Sequence, residues 1–178
     1  ESLLKLAREG RIFYLYDTIR KKETPYYRQH RDLVANIAKR SRYFIANAPK
    51  INKPEETGGQ AEISYRFLEG AASGAVMLGE PGESDAFRIQ FDWPDAVIKV
   101  PYSSTDITPV LADLDAQPER LARIRKTSMA NCLRRHDWAY RWRAILDLVG
   151  MEPLPALLER EKRLGELAAR MSNGAPLA

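Results

Sequence analysis

The chain predicts an α/β fold, a Rossmann-like parallel sheet flanked by helices, with additional C-terminal helices. Three observations predict it. The stretch from Glu62 to Gly79 runs from a polar helix start through a helix ending in small residues into a short buried strand. Two further helix-then-strand alternations accompany it, Tyr27 to Ala46 and Ala86 to Val100, and such alternations build parallel sheets covered on both faces. From Thr105 onward the pattern is wholly helical. The expected organisation is a Rossmann-like domain over residues 1–150, followed by an amphipathic helix and tail over 151–178.

Taken in order, residues 2 to 9 resemble the end of a helix. Gly10 breaks them from Arg11-Ile-Phe-Tyr-Leu-Tyr16, whose aromatic and branched content suits a strand. Leu33, Val34, Ile37 and Ala38 recur at helical spacing between Tyr27 and Ser41, ahead of a strand from Tyr43 to Ala46. Residues 47 to 60 carry Asn, Pro, Thr and the pair Gly58-Gly59, which marks a loop delivering the chain to the next helix. There Ser64 caps, Phe67, Leu68 and Ala71 supply an apolar face, Gly74 stops the helix, and Ala75 to Leu78 form a central strand. The small residues Gly70 to Gly74 let that helix approach the sheet closely.

Glu80 to Ser84 form a loop at the strand's carboxyl end, Ala86 to Gln90 a short helix, and Ala96 to Val100 a strand stopped by Pro101. Helices follow from Ile107 to Leu114, Pro118 to Arg134 and Trp138 to Val149, the last capped by Asp137. Beyond Gly150, Pro153 and Pro155, a terminal helix places Leu154, Leu157, Leu158, Leu164, Leu167 and Met171 on one stripe, and Ser172 to Ala178 fray.

Composition narrows the function classes. With 178 residues the chain buries one core, and 28 Lys and Arg against 24 Asp and Glu leave +4, mild for a dedicated nucleic-acid binder and compatible with an anionic ligand. Cys132 is the single cysteine, so no intramolecular disulfide or cysteine zinc cluster exists, and a cytoplasmic setting is expected. His30 and His136 stand far apart with no carboxylate at ligand spacing, so no metal site is expected. No apolar run reaches the ~18 residues that cross a bilayer, while peripheral membrane attachment and oligomer contacts stay open.

Four segments carry a resemblance. Arg40-Ser-Arg-Tyr-Phe-Ile-Ala46, Glu62 to Gly79, Phe91-Asp-Trp-Pro-Asp-Ala-Val-Ile98 and Arg135-His-Asp-Trp-Ala-Tyr-Arg-Trp142 resemble, in that order, the donor-binding half of GT-B glycosyltransferases of the bacterial group 1, CgeB-like type. The resemblance implies a nucleotide-sugar donor, no metal cofactor, and an acceptor-binding half that a complete enzyme places first. The chain, opening at Glu1, is therefore expected to be the C-terminal fragment of such an enzyme and inactive alone.

The resemblance also implies site residues. Retaining GT-B enzymes carry two glutamates bracketing the start of this helix, the first touching the sugar and the second holding the ribose hydroxyls. Glu69 matches the second, and a carboxylate can accept from both hydroxyls of a ribose. The first falls at Ala61 by count, whereas the chain has Glu62, which either reaches the sugar or serves the helix dipole. Free N–H groups at the helix start bind phosphate, with Gln60, Ser64 and Tyr65 placed to assist. Arg66 either supplies charge to the diphosphate or points to solvent.

Trp138, Tyr140, Arg141 and Trp142 alternate aromatic and basic character, as stacking on nucleic-acid bases would use. Helical spacing instead puts Trp138, Arg141, Trp142, Ile145 and Leu146 on one face, that of a core or domain-interface helix, and no nucleic-acid partner is expected. Glycosyl transfer from a nucleotide-sugar is thus the expected function. The alternative is a non-catalytic interaction module that keeps the fold and binds protein or nucleic acid through its basic, aromatic face or its leucine stripe.

Overall fold

A computed structural model describes residues 2–16, 26–60 and 62–173. Its centre is a parallel sheet of three strands, β1 (Tyr43–Ile45), β2 (Val76–Gly79) and β3 (Ile98–Lys99), in the order β1-β2-β3. Tyr43 lies opposite Val76 and Ile45 opposite Leu78, while Leu78 and Gly79 face Ile98 and Lys99. All four residues of β2 are buried. Strand side chains alternate between faces, so Met77 points to one core cluster and Val76 with Leu78 to another.

The helices follow from what each strand face must bury. α2 (Tyr27–Arg40) leads into β1, and α3 (Tyr65–Ser73) leads into β2. Ser64 caps α3 by accepting the Arg66 N–H at 3.3 Å, and Gly74 ends it in the left-handed region at φ 73°. Phe67 and Ala71 of α3 are fully buried against Met77, Phe91 and Trp93, joined by Phe87 of α4 (Asp85–Gln90). Phe67 meets Phe87 edge-on at 5.0 Å, and Phe87 stacks on Phe91 at 4.8 Å, geometries that add to area burial.

The opposite face is covered by Leu114 of α5 (Thr108–Asp115) and Ile124 of α6 (Pro118–Arg135). α6 serves both faces. Its first half supplies Ile124, whereas further along Ser128 accepts the Trp93 indole N–H at 3.3 Å and Cys132 packs against the first cluster. Burial pushes the Cys132 thiol up to about 11, which keeps it protonated and inert at neutral pH. α8 (Pro155–Ser172) lies along α6 through Leu164 and Ala168. α7 (Trp138–Leu148) begins at Asp137, whose carboxylate accepts the Ala139 N–H at 2.9 Å and a two-pronged Arg160 from α8 at 2.8 and 2.6 Å. α1 (Ser2–Arg8) buries only Leu6. Among the described residues no helix is long and apolar enough to cross a membrane.

The structure corrects four expectations. Arg11 to Tyr16 form no strand: they have no ladder partner, Phe13 is 88% exposed, and the local order is a stack of Tyr14 on Tyr16 at 5.5 Å. The strand expected at Ala96 to Val100 shortens to Ile98–Lys99; on its N-terminal side Asp95 takes a left-handed turn at φ 57° and the Ala96 N–H closes on the Trp93 carbonyl at 3.2 Å, which commits Ala96 to the turn. Trp138 and Trp142 are not core residues; they are 70% and 55% exposed. The Asp137 to Arg160 pair and the Tyr140 hydroxyl, donating to the Leu133 carbonyl at 2.9 Å, turn Ala139 inward and the tryptophans outward. In the terminal helix Leu164 is buried and Leu157, Leu167 and Met171 are half-buried, but Leu154 and Leu158 stay exposed.

Two expected outcomes test this packing. Gly79 has φ 149°, and a Cβ there would stand 2.0 Å from the Ala46 carbonyl oxygen, so Gly79→Ala should lower unfolding stability by about 3 kcal/mol in urea titration. Gly165, on α8 with open space around it, should respond oppositely: Gly165→Ala raises stability by about 0.5–1 kcal/mol.

The Arg160 hydrogen bonds hold the Asp137 carboxyl below the ordinary carboxylate range, ahead of the smaller contribution of the Ala139 N–H. A depressed folded pKa stabilises above the unfolded value near 3.9 and loses that contribution as pH falls through the folded value. Asp137→Asn keeps a cap and removes the charge. Its deficit, about 0.5–1 kcal/mol at pH 7 because Arg160 is exposed, should vanish in acid when both proteins are melted across pH 2 to 7.

Candidate functional site

Parallel topology decides where a site can form. A helix that feeds a parallel strand runs against it, so α2 and α3 both begin at the carboxyl edge of the sheet, the edge where open α/β sheets bind ligands. Their first turns stand side by side. Glu69, one turn into α3, is half-buried with its side chain 21% exposed, and its two oxygens are taken from two helices. Arg31 of α2 donates to Oε1 at 2.9 Å, and Arg66 of α3 donates to Oε2 at 3.0 Å. The Tyr65 ring stands by both guanidinium groups, 5.9 Å from Arg31 and 5.1 Å from Arg66, within cation–π range.

The cluster carries two positive charges and one negative, a surplus of one. A carboxylate offers about four acceptor positions, so two guanidinium bonds leave Glu69 able to accept further hydroxyls. Ser64, at the base of the same turn, is 8% exposed and its oxygen already receives the Arg66 N–H.

Beside the cluster, the loops that leave the three strands are stitched together. The Glu80 N–H donates to Asn47 Oδ1 at 2.8 Å, and the Ala48 N–H donates to the Glu80 carbonyl at 2.9 Å. Glu80 Oε2 accepts the Tyr102 N–H at 2.6 Å. Residues after β1, β2 and β3, through the Asn47 and Glu80 side chains and the Tyr102 backbone, thereby form one continuous rim at the carboxyl edge.

The structure brings Ser64, Tyr65, Arg66 and Glu69 together on one helix turn. It does not bring Gln60 or Glu62 to them. Both are exposed on the approach to α3, where the Gln60 N–H closes a turn on the Thr57 carbonyl at 3.1 Å after a single 3-10 turn, Pro54–Thr57. Residue 61, where the first glutamate falls by count, lies outside the described residues. Arg31 was missed by sequence reasoning: it is one of several cations on α2, and only the packing of α2 on α3 singles it out. Asn47 was missed for the same reason; Glu80 lies in the loop from Gly79 to Gly82 that the sequence marks at the carboxyl edge, but its bonds to Asn47 and Tyr102 join residues distant in sequence and were not legible.

His136 is structural. Its Nε2 lies 3.1 Å from the Gln90 carbonyl, its ring stacks on Phe91 at 5.1 Å, and burial, with Arg141 beside it, pushes the imidazole below its ordinary value and towards the neutral form. It borders an open hollow of about 380 Å³ between Ile89, His136 and Tyr140. Another, about 480 Å³, lies between Glu119, Arg123 and Ser172.

Comparison with known proteins gives one match. Residues 10–147, most of the chain, match the model of a family described as glycosyl transferase-like. No curated protein and no solved structure matches significantly. The matched span runs from the end of α1 through α7, and so contains the whole sheet and the Arg31, Arg66 and Glu69 cluster.

The cap of α3 has a consequence independent of any ligand. Ser64→Ala should cost about 1 kcal/mol and Ser64→Gly only a few tenths, read from urea denaturation midpoints.

Proposed function

The chain belongs to the glycosyl transferase-like family, and from that premise we propose that it is the donor-binding half of a metal-independent GT-B enzyme of the group 1, CgeB-like type. The family match supports glycosyl transfer in general, and in this reading the donor is a nucleotide-sugar. One observation carries the assignment of the site: Glu69 stands at the carboxyl edge with both oxygens engaged by guanidinium groups and acceptor capacity left over. In this assignment Glu69 accepts the two ribose hydroxyls.

The surplus positive charge of Arg66 and Arg31 faces the diphosphate, with the positive end of the α3 dipole behind it; the Arg66 and Phe67 N–H groups are already taken by the Ser64 hydroxyl and carbonyl oxygens. During transfer the bond between the anomeric carbon and the diphosphate oxygen breaks with its electron pair leaving on the diphosphate, an acceptor hydroxyl forms the new carbon–oxygen bond, and the hydroxyl proton passes to the released diphosphate. Arg66 and the α3 dipole stabilise the departing diphosphate, a role that oriented dipoles and cations fill well in a site shielded from water. Glu62, exposed on the loop before α3, is within the segment that would meet the sugar. The loop from Gly79 to Gly82 borders the same edge and supplies the Glu80 to Asn47 and Tyr102 bonds that keep it in place.

The edge is open rather than enclosed, and the acceptor-binding half would close over it. Trp138, Trp142, Ile145 and Val149 share one exposed stripe of α7, and it is this stripe that the acceptor half would cover. The same stripe favours the second class of function, an interaction module that binds a protein through α7 and performs no chemistry. Nucleotide binding separates the two.

Calorimetric titration with UDP, GDP and TDP is expected to show saturable binding to at least one, unchanged by removal of divalent cations. Glu69→Ala should weaken it on the order of tenfold or more, the scale of losing hydrogen bonds to a charged acceptor. Binding that survives Glu69→Ala unaltered would overturn the assignment, and a complete enzyme without nucleotide-dependent sugar transfer would move the function to the interaction class.

A further inference from the structure

Glu69 is a long side chain on an exposed rim, and such a side chain loses rotamer freedom whenever it is used. Its engagement from two directions removes that freedom before any ligand arrives. Arg66 reaches Oε2 from the same helix, three residues back, a spacing that alone fixes little, since such exposed local pairs exchange readily. Arg31 reaches Oε1 from another helix, at 2.9 Å, and no local turn geometry supplies that bond. The carboxylate plane is therefore set by the docking of α2 on α3.

We propose that Arg31 is a positioning residue of the donor site, holding the Glu69 carboxylate in the orientation that accepts ribose hydroxyls; this rests on the donor-site assignment above. Three features of the pair carry it. Arg31 is 47% exposed, so the pair adds little to stability and what it fixes is the orientation of the carboxylate. Its guanidinium is steered by Tyr65, whose ring lies 5.9 Å away and which stands equally beside Arg66, so both cations are held on the two flanks of one carboxylate. The contacted oxygens are different ones, leaving each with a lone pair for one hydroxyl of a vicinal pair. Held this way, Glu69 is preorganised; without Arg31 only the local Arg66 contact remains.

The readout is selectivity for ribose, which a merely structural ion pair would not govern. The chain and its Arg31→Met, Arg31→Gln and Arg31→Lys variants are titrated with UDP, dUDP, GDP and dGDP, beside thermal melts. The expected result is a wild-type preference of about tenfold for the ribose form of whichever diphosphate binds. Arg31→Met and Arg31→Gln should reduce that preference to about twofold or less with melting temperatures nearly unchanged, and Arg31→Lys should restore part of it through a single-point charge. Arg31→Gln carries the test should Arg31→Met disturb folding.

An unchanged preference in Arg31→Gln and Arg31→Met overturns the proposal while leaving the donor site intact. Wild-type binding with no preference for ribose overturns it too, since Glu69 then reads no hydroxyl. Failure of the wild type to bind any diphosphate is distinct from both: it removes the donor-site assignment, and the role of Arg31 falls with it.

Discussion

The approach of α3 to β2 governs the molecule. Gly70 faces the sheet with no side chain, and the space a Cβ would need is already occupied: it would stand 2.6 Å from the Met77 sulfur and 3.1 Å from the Phe44 ring. Phe67, one turn earlier on the same face, is completely buried. With Phe67, Gly70 and Ala71 committed to the core, residue 69 is rotated about 100° away and can only look sideways, towards α2. The chemistry at the rim is thus a consequence of packing beneath it. A side chain at Gly70 would shift α3 outward and with it every group of the cluster.

That sideways direction places a carboxylate between two cations from different elements. Parallel strands fed by helices bring the starts of α2 and α3 to one edge, and the same topology sends the loops after β1, β2 and β3 to that edge. Asn47, Glu80 and Tyr102 then bond across the strand ends, so the rim is continuous although the sheet is small. The ion pairs contribute little to folding because their arginines are partly exposed. Their value lies in orientation, which exposure does not diminish.

Local signals made most of the architecture legible. Ser64, Asp137, Gly74 and the prolines opening α5, α6 and α8 act within a few residues of themselves, and each element they bound appears in the structure. Failures came where the outcome depends on distant partners. Arg11 to Tyr16 have strand-like residues but no neighbour to pair with, and β-propensity without a ladder makes no strand. α7 has an apolar periodicity that names a face but not what covers it, and the bond between Asp137 and Arg160, 23 residues apart, decides its rotation. At the rim, Ser64 was legible as a cap from its own neighbours, and Glu69 was named from the resemblance with Arg66 beside it; the Arg31 contact was not legible, joining residues 38 apart.

The exposed stripe of α7 and the open rim of α3 are complementary facts about one domain. Trp138, Trp142, Ile145 and Val149 follow a spacing of four, three and four residues, the seam by which one helix packs into another, yet in this chain they meet solvent. A stripe of that size on a monomer exceeds the scattered apolar residues any surface carries. The rim, for its part, offers a carboxylate and a surplus cation with nothing over them among the described residues. In the proposed reading a donor must be shielded from water for electrostatic stabilisation of its leaving group to act at full strength. An acceptor half docked on α7 and closing over the rim would answer both, burying the apolar seam and drying the site.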